Sequence, residues 1–94
     1  MKTHTHTHTP GPWSVETKGS RHFIDGADEL TVAYVDRAGV RERQTYEANA
    51  QLIAAAPELL KVTRDFLLLA QLHDWEGAAI DFAKATLAKA EGNA

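Results

Sequence analysis

Glu29-Leu30-Thr31-Val32-Ala33-Tyr34-Val35-Asp36 is followed, past a charged break, by Tyr46-Glu47-Ala48-Asn49-Ala50-Gln51-Leu52-Ile53-Ala54-Ala55-Ala56-Pro57-Glu58-Leu59-Leu60. The change of period between these two stretches decides the fold. In the first, Leu30, Val32 and Tyr34 alternate with Glu29, Thr31, Ala33 and Val35, the period of two that marks a half-buried strand. The larger set is expected to face the core, with Trp13 and Val15 as neighbours. In the second, Tyr46, Ala50, Ile53 and Ala54 recur at helical spacing within an alanine-rich run of high helix propensity. Pro57 has no amide donor and clashes with the turn before it, so it is expected to open a second helix, with Glu58 favourable in the first turn. Strands precede helices, which defines an α+β chain.

Upstream, Trp13 and Val15 alternate with Ser14 and Glu16, and Lys18-Gly19-Ser20 supplies a turn into His22-Phe23-Ile24. Asp25-Gly26 is a dipeptide that readily takes the positive φ of a tight hairpin, leading into the third strand. Residues 37–43 have the composition of a solvated loop, and the helical half is expected to begin near Thr45. Downstream, Leu59, Val62, Phe66 and Leu69 form one stripe of a helix running to about Leu72, with Leu60, Thr63, Leu67 and Ala70 beside it. The two stripes together give the main core helix a wide apolar face, which suits contact with two elements or a homodimer seam. Asp74 is expected to cap a third helix carrying Ala79, Ile80, Ala83 and Leu87, which Gly92 ends. The expected fold is a short three-stranded antiparallel meander followed by two to three α-helices packed on one face. Residues 1–12 read as a flexible Thr/His arm, 13–91 as a single α+β domain and 92–94 as a frayed C-terminus.

Ninety-four residues allow one core, and 44% hydrophobic with 24% charged residues is the composition of an ordinary globular chain. The absence of cysteine removes disulfides, thiolate metal sites and thiol nucleophiles, and fits a reducing compartment. No run of about 18 apolar residues is present to span a bilayer. A net charge of -3 gives the whole chain no field that would draw it to a phosphate backbone.

Few residues offer chemistry. His4, His6 and His8 alternate with threonine, so in an extended conformation their imidazoles share one side and suit a soft divalent ion. Against this, a floppy arm loses ordering entropy on binding and no carboxylate or thiolate adjoins it, so no metal or cofactor is expected. His22 and His73 lie in different halves of the chain, and His73-Asp74-Trp75-Glu76 reads as helix capping. The chain has no nucleophile-elbow, phosphate-loop, dinucleotide or zinc-protease signature, and no enzyme is expected. Trp13 reads as a core anchor. Arg21, Arg37, Arg41 and Arg43, with Lys18, form a candidate interaction surface that Asp36 and Glu42 dilute.

Thr7 to Trp13 resembles the "HTPGPW" opening of a group of small phage and prophage proteins, and Glu47 to Leu60 resembles the "ANAxLIAAAPELL" segment that the group carries downstream. The group is similar to accessory proteins from the early region of lambdoid phages. The resemblance implies a phage or prophage product in the cytoplasm of a bacterial host and brings no catalytic residues. Read physically, the second motif is architectural: its alanines allow close approach, Leu52 and Ile53 grip the neighbouring element, Asn49 is partly buried, and Pro57 sets the bend before Leu59. The leading expectation is a non-enzymatic accessory protein that binds a host or phage protein, with inhibition of a host process or defence as one outcome. Nucleic-acid binding through the Arg37–Arg43 loop is the runner-up, and capture of a small molecule or metal is the third reading.

Overall fold

The computed structural model of the protein describes residues 8–36 and 42–92. Three strands, β1 (Ser14–Lys18), β2 (Arg21–Asp25) and β3 (Thr31–Val35), precede three helices, α1 (Arg43–Ala54), α2 (Ala56–Leu72) and α3 (Ala78–Ala90). The fold is therefore the α+β arrangement expected, with an antiparallel sheet in the order β1-β2-β3. The chain divides into two compact units, Met1–Pro57 and Glu58–Ala94.

In the first unit, Gly19 joins β1 to β2 at φ 64°, a conformation that costs glycine nothing and spares it a Cβ clash. The second hairpin is wider than the tight turn expected at Asp25-Gly26. Gly26 N–H donates to the Leu30 carbonyl (2.9 Å), and the positive φ of 68° falls on Glu29. Gly26 is needed for space: a Cβ there would lie 2.5 Å from the Thr9 methyl. Asp28 Oδ1 accepts from Leu30 N–H and steadies the turn (3.1 Å).

The register sets Val15 opposite Ile24 and Ile24 opposite Ala33, while Glu16, Phe23 and Tyr34 form the neighbouring row. Since successive side chains alternate between faces, Val15, Ile24, Ala33 and Val35 belong to the covered side, together with Trp13. The expectation that Leu30, Val32 and Tyr34 face the core is thus inverted, and Leu30 and Tyr34 are exposed. Tyr34 faces outward because it pairs with Phe23 while Ala33 pairs with buried Ile24, and a bulge between Ile24 and Asp25 shifts the ladder only beyond these pairs, at Thr31.

The helix α1 covers the inner side. Ala50 and Ala54 meet Ile24, which is wholly buried, and Trp13, Val15, Val35 and Ile53 surround them. Small side chains let helix and sheet approach closely, as the alanine run implied. Two details of that motif differ from expectation: Leu52 and Asn49 are both exposed, on the side of α1 away from Ala50 and Ala54. The helix also starts earlier than Thr45, at Arg43, whose guanidinium pairs with Glu47 one turn on.

Residues of the N-terminal segment from Thr9 onward are tied to this unit. The Trp13 indole N–H donates to the Thr9 carbonyl (3.0 Å), and Ala27 N–H donates to the Pro10 carbonyl (3.3 Å). Gly11 lies against Pro57, so close that a Cβ on Gly11 would come within 2.9 Å of the proline Cβ. The two stretches singled out in the sequence meet at this contact.

Helix α2 carries Pro57 in its first turn, and within the second unit α3 runs back along it: Arg64 donates from Nε and Nη2 to Glu91 just beyond the end of α3 (2.9 and 2.6 Å). Asp74 does not cap α3. It ends α2, with φ 54°, while Asp74 N–H donates to Gln71 and Trp75 N–H to the Ala70 carbonyl (2.8 Å). These two bonds form the paired closure usually built on a glycine. Gly77 occupies the N-cap of α3 without a side-chain cap bond. On α2 the covered stripe is Leu60, Thr63, Leu67 and Ala70. The neighbouring stripe of the wide apolar face expected from the sequence, Leu59, Val62, Phe66 and Leu69, is exposed.

Candidate functional site

The sheet's outer side is a preorganised aromatic surface. Phe23 on β2 and Tyr34 on β3 are cross-strand partners, with ring centroids 5.8 Å apart. Each ring is flanked by a cation, Lys18 Nζ at 5.7 Å from the Phe23 centroid and the Arg21 guanidinium at 4.9 Å from that of Tyr34. Arg21 also reaches Asp36 (3.5 Å) and Lys18 reaches Glu16 (3.9 Å), so both cations are held by a carboxylate as well as a ring. Period-two placement explains the surface: Arg21, Phe23 and Asp25 alternate with buried His22 and Ile24 along β2. The signal was present in the sequence as Arg21-His22-Phe23 but was hidden by the face assigned to Tyr34.

Charge on this side is balanced toward acid. Lys18 and Arg21 are set against Glu16, Asp25 and Asp36. A phosphate backbone is recognised by excess cation, which this surface lacks among the described residues. Tyrosine and arginine beside a packed aromatic ring are instead the composition of protein-binding hot spots.

Of the sequence-designated arginines, Arg21 belongs to this surface and Arg43 is bonded to Glu47 (2.9 Å) on α1. Arg37 and Arg41 lie outside the described residues, as do His4 and His6. His8 is exposed, its Nδ1 hydrogen-bonded to the Thr9 carbonyl (2.9 Å) and its ring edge-on to Trp13. Among the described residues no three His, Asp or Glu side chains are grouped to hold a metal ion. Trp13, Ile53 and Pro57 serve the packing of the first unit.

Two further places combine polar and apolar groups. His22 is buried against the Tyr46 ring (5.2 Å), with Nδ1 hydrogen-bonded to Thr17 Oγ1 (2.8 Å), and its Nε2 has no partner among the described residues. Sequence reading missed this histidine, because alternation alone does not say which side of β2 is covered. A recess of about 340 Å³ beside it is lined by Val15, Thr17, Glu47, Ala48 and Gln51. In the second unit a cleft of about 580 Å³ lies between α2 and α3, floored by Leu67, Ala70, Ile80 and Leu87. The Arg64–Glu91 pair closes one end and Trp75 stands at the other.

The molecule so described is a small α+β protein with an exposed aromatic sheet face and no assembled reaction site among the described residues. The family model for Salmonella phage P22 protein Y8K6 matches residues 1–94, so the chain belongs to that phage protein family. No curated protein and no solved structure matches it. Family membership supports a phage accessory role. No helix among the described residues is long and apolar enough to cross a membrane.

Proposed function

We propose that this protein is a non-enzymatic phage accessory protein that acts by binding a protein of the host or of the phage through the outer side of its sheet. The observation that carries the reading is the Phe23–Tyr34 pair, exposed at Tyr34 and half-buried at Phe23, held between Lys18 and Arg21. Rigid aromatic and arginine side chains contribute contact area with little ordering cost, which is why they dominate binding energies at protein interfaces. The near balance of charge favours a polar protein surface over nucleic acid.

The test is affinity capture from the bacterial host with wild type and Tyr34→Ala, followed by titration of the recovered protein in purified form. Loss of the Phe23 and Arg21 contacts should cost the variant about 1–2 kcal/mol, so a thermal melt first shows that it is folded under the titration conditions. Binding of one specific protein should weaken about 30-fold or more, the effect of losing a hot-spot side chain. A partner whose affinity is the same for both variants, or recovery only of nucleic acid that salt removes, defeats the reading.

A further inference from the structure

We infer that the free edge of β1 receives an extended segment of the partner protein as a fourth strand, and that the recess beside His22 takes one of its side chains. The inference rests on the reading that the protein acts by binding another protein, and it names how that partner is held. Every residue lining the recess belongs to the first unit.

The backbone of β1 comes first. The sheet order leaves one side of β1 without a neighbouring strand. Lys18 and Arg21 close a two-residue hairpin, and the alternation of an antiparallel ladder then gives Lys18, Glu16 and Ser14 the hydrogen-bonded positions. Val15 and Thr17 therefore direct their N–H and C=O groups away from β2, and no backbone group among the described residues meets them. Native edges are usually blunted by a proline, a bulge or an inward charge. None of these occurs on β1, whose inward side chains are Val15 and Thr17. The bulge of this sheet falls on the opposite edge, where Val32 of β3 is the extra residue between Thr31 and Ala33.

An edge of this kind accepts extended backbone. A helix satisfies its own amides and carbonyls, so it gives an edge strand nothing to pair with. The second unit consists of α2 and α3 joined by residues 73–77, and His73, Asp74 and Trp75 in that link donate their amides back to α2. Among its described residues it has no extended segment to lend, which leaves the edge to another chain.

The recess gives the added strand a place for a side chain. It is lined by Val15 and Thr17 of β1, His22 of β2, and Glu47, Ala48 and Gln51 of α1, with nothing from β3, so it sits between α1 and the free edge. In a groove of this form, strand pairing supplies affinity and pockets for alternate side chains supply specificity. The oxygen acceptors are Thr17 Oγ1, the Gln51 amide and the Glu47 carboxylate, whose Oε2 is held by Arg43 (2.9 Å) while Oε1 has no partner among the described residues. Val15 and Ala48 add apolar wall. This chemistry fits a side chain with an aliphatic stem and a terminal N–H donor, lysine or glutamine. Residues on either side of it turn to the outer face beside Glu16 and Lys18, and so continue the surface built on Phe23 and Tyr34.

Amide hydrogen exchange of the full chain is the first test. In the free protein Val15 and Thr17 should exchange at least about 10-fold faster than Glu16 and Phe23, which bond across the ladder. Equal protection of the four means that the chain itself covers the edge, and overturns the inference. The second test selects peptides from a random displayed octapeptide library on the full chain and titrates them in synthetic form. They should share a lysine or glutamine, slow exchange at Val15 and Thr17 by about 10-fold or more, and bind Glu47→Ala about 10-fold more weakly. Glu47 is paired only with Arg43 one turn away on α1, so that variant stays folded. No peptide binding tighter than about 1 mM, peptides that leave the two amides unprotected, or affinity indifferent to Glu47→Ala overturns the inference. A captured partner that Tyr34→Ala weakens but that leaves Val15 and Thr17 unprotected defeats the edge alone and leaves the outer-side reading standing.

Discussion

Replacing Ile24 by alanine should be the most damaging single change in the first unit. Ile24 is wholly buried between the two strands that flank it and the alanines of α1. Removing its branched side chain forfeits the transfer energy of three carbons and leaves a space that Ala50 and Ala54 are too short to fill. Substitutions of this kind cost about 2–5 kcal/mol, and the rigid surroundings place this one near 4 kcal/mol. A chain of this length holds a net stability of about 5–10 kcal/mol, so the variant retains little. Urea unfolding checks the figure, followed by indole fluorescence in a Trp75→Phe background so that Trp13 reports on the sheet. With a slope of about 1.5 kcal/mol/M, the midpoint should fall by roughly 2–3 M at unchanged slope, or the variant should be unfolded in buffer. Leu52→Ala on the outer side of α1 is the internal control and should change stability by less than about 0.5 kcal/mol. A loss below about 1 kcal/mol for Ile24→Ala, or equal losses for both, would refute the assignment of the core.

Two further changes probe backbone geometry. Asp74 takes φ 54° at the end of α2, a region that disfavours any side chain, so Asp74→Gly should raise stability by about 0.5–1 kcal/mol in thermal melts of the second unit, and a decrease would contradict the closure described. Gly11→Ala should destabilise by about 1–2 kcal/mol, because the new methyl meets the Pro57 ring within 2.9 Å; an unchanged melting temperature would mean that the two segments are not in contact.

The residues forming the sheet and the helices were legible because periodicity is a local property. Val32 to Val35 alternates, Tyr46 to Ala54 repeats at helical spacing, and Pro57 stands where α2 begins, so element types and order followed from the chain alone. The alanine-rich run of α1 likewise announced a close packing against the sheet, which Ile24, Ala50 and Ala54 form. The candidate surfaces were less legible. Arg21 was visible as a charge, but its place over the Tyr34 ring required knowing that Tyr34 faces outward.

Periodicity states which side chains share a face and is silent on which face is covered. On β3 the pairing of Ala33 with Ile24 and of Val35 with His22 places Ala33 and Val35 inside, and on α2 the return of α3 covers Ala70 and Leu67. Those choices depend on which element packs against each face, and the packing partner lies at a distance in the sequence. The sequence by itself therefore determined the elements and their order. Tertiary structure alone decided the burial of His22 and the exposure of Tyr34, because each depends on which side of the sheet α1 covers.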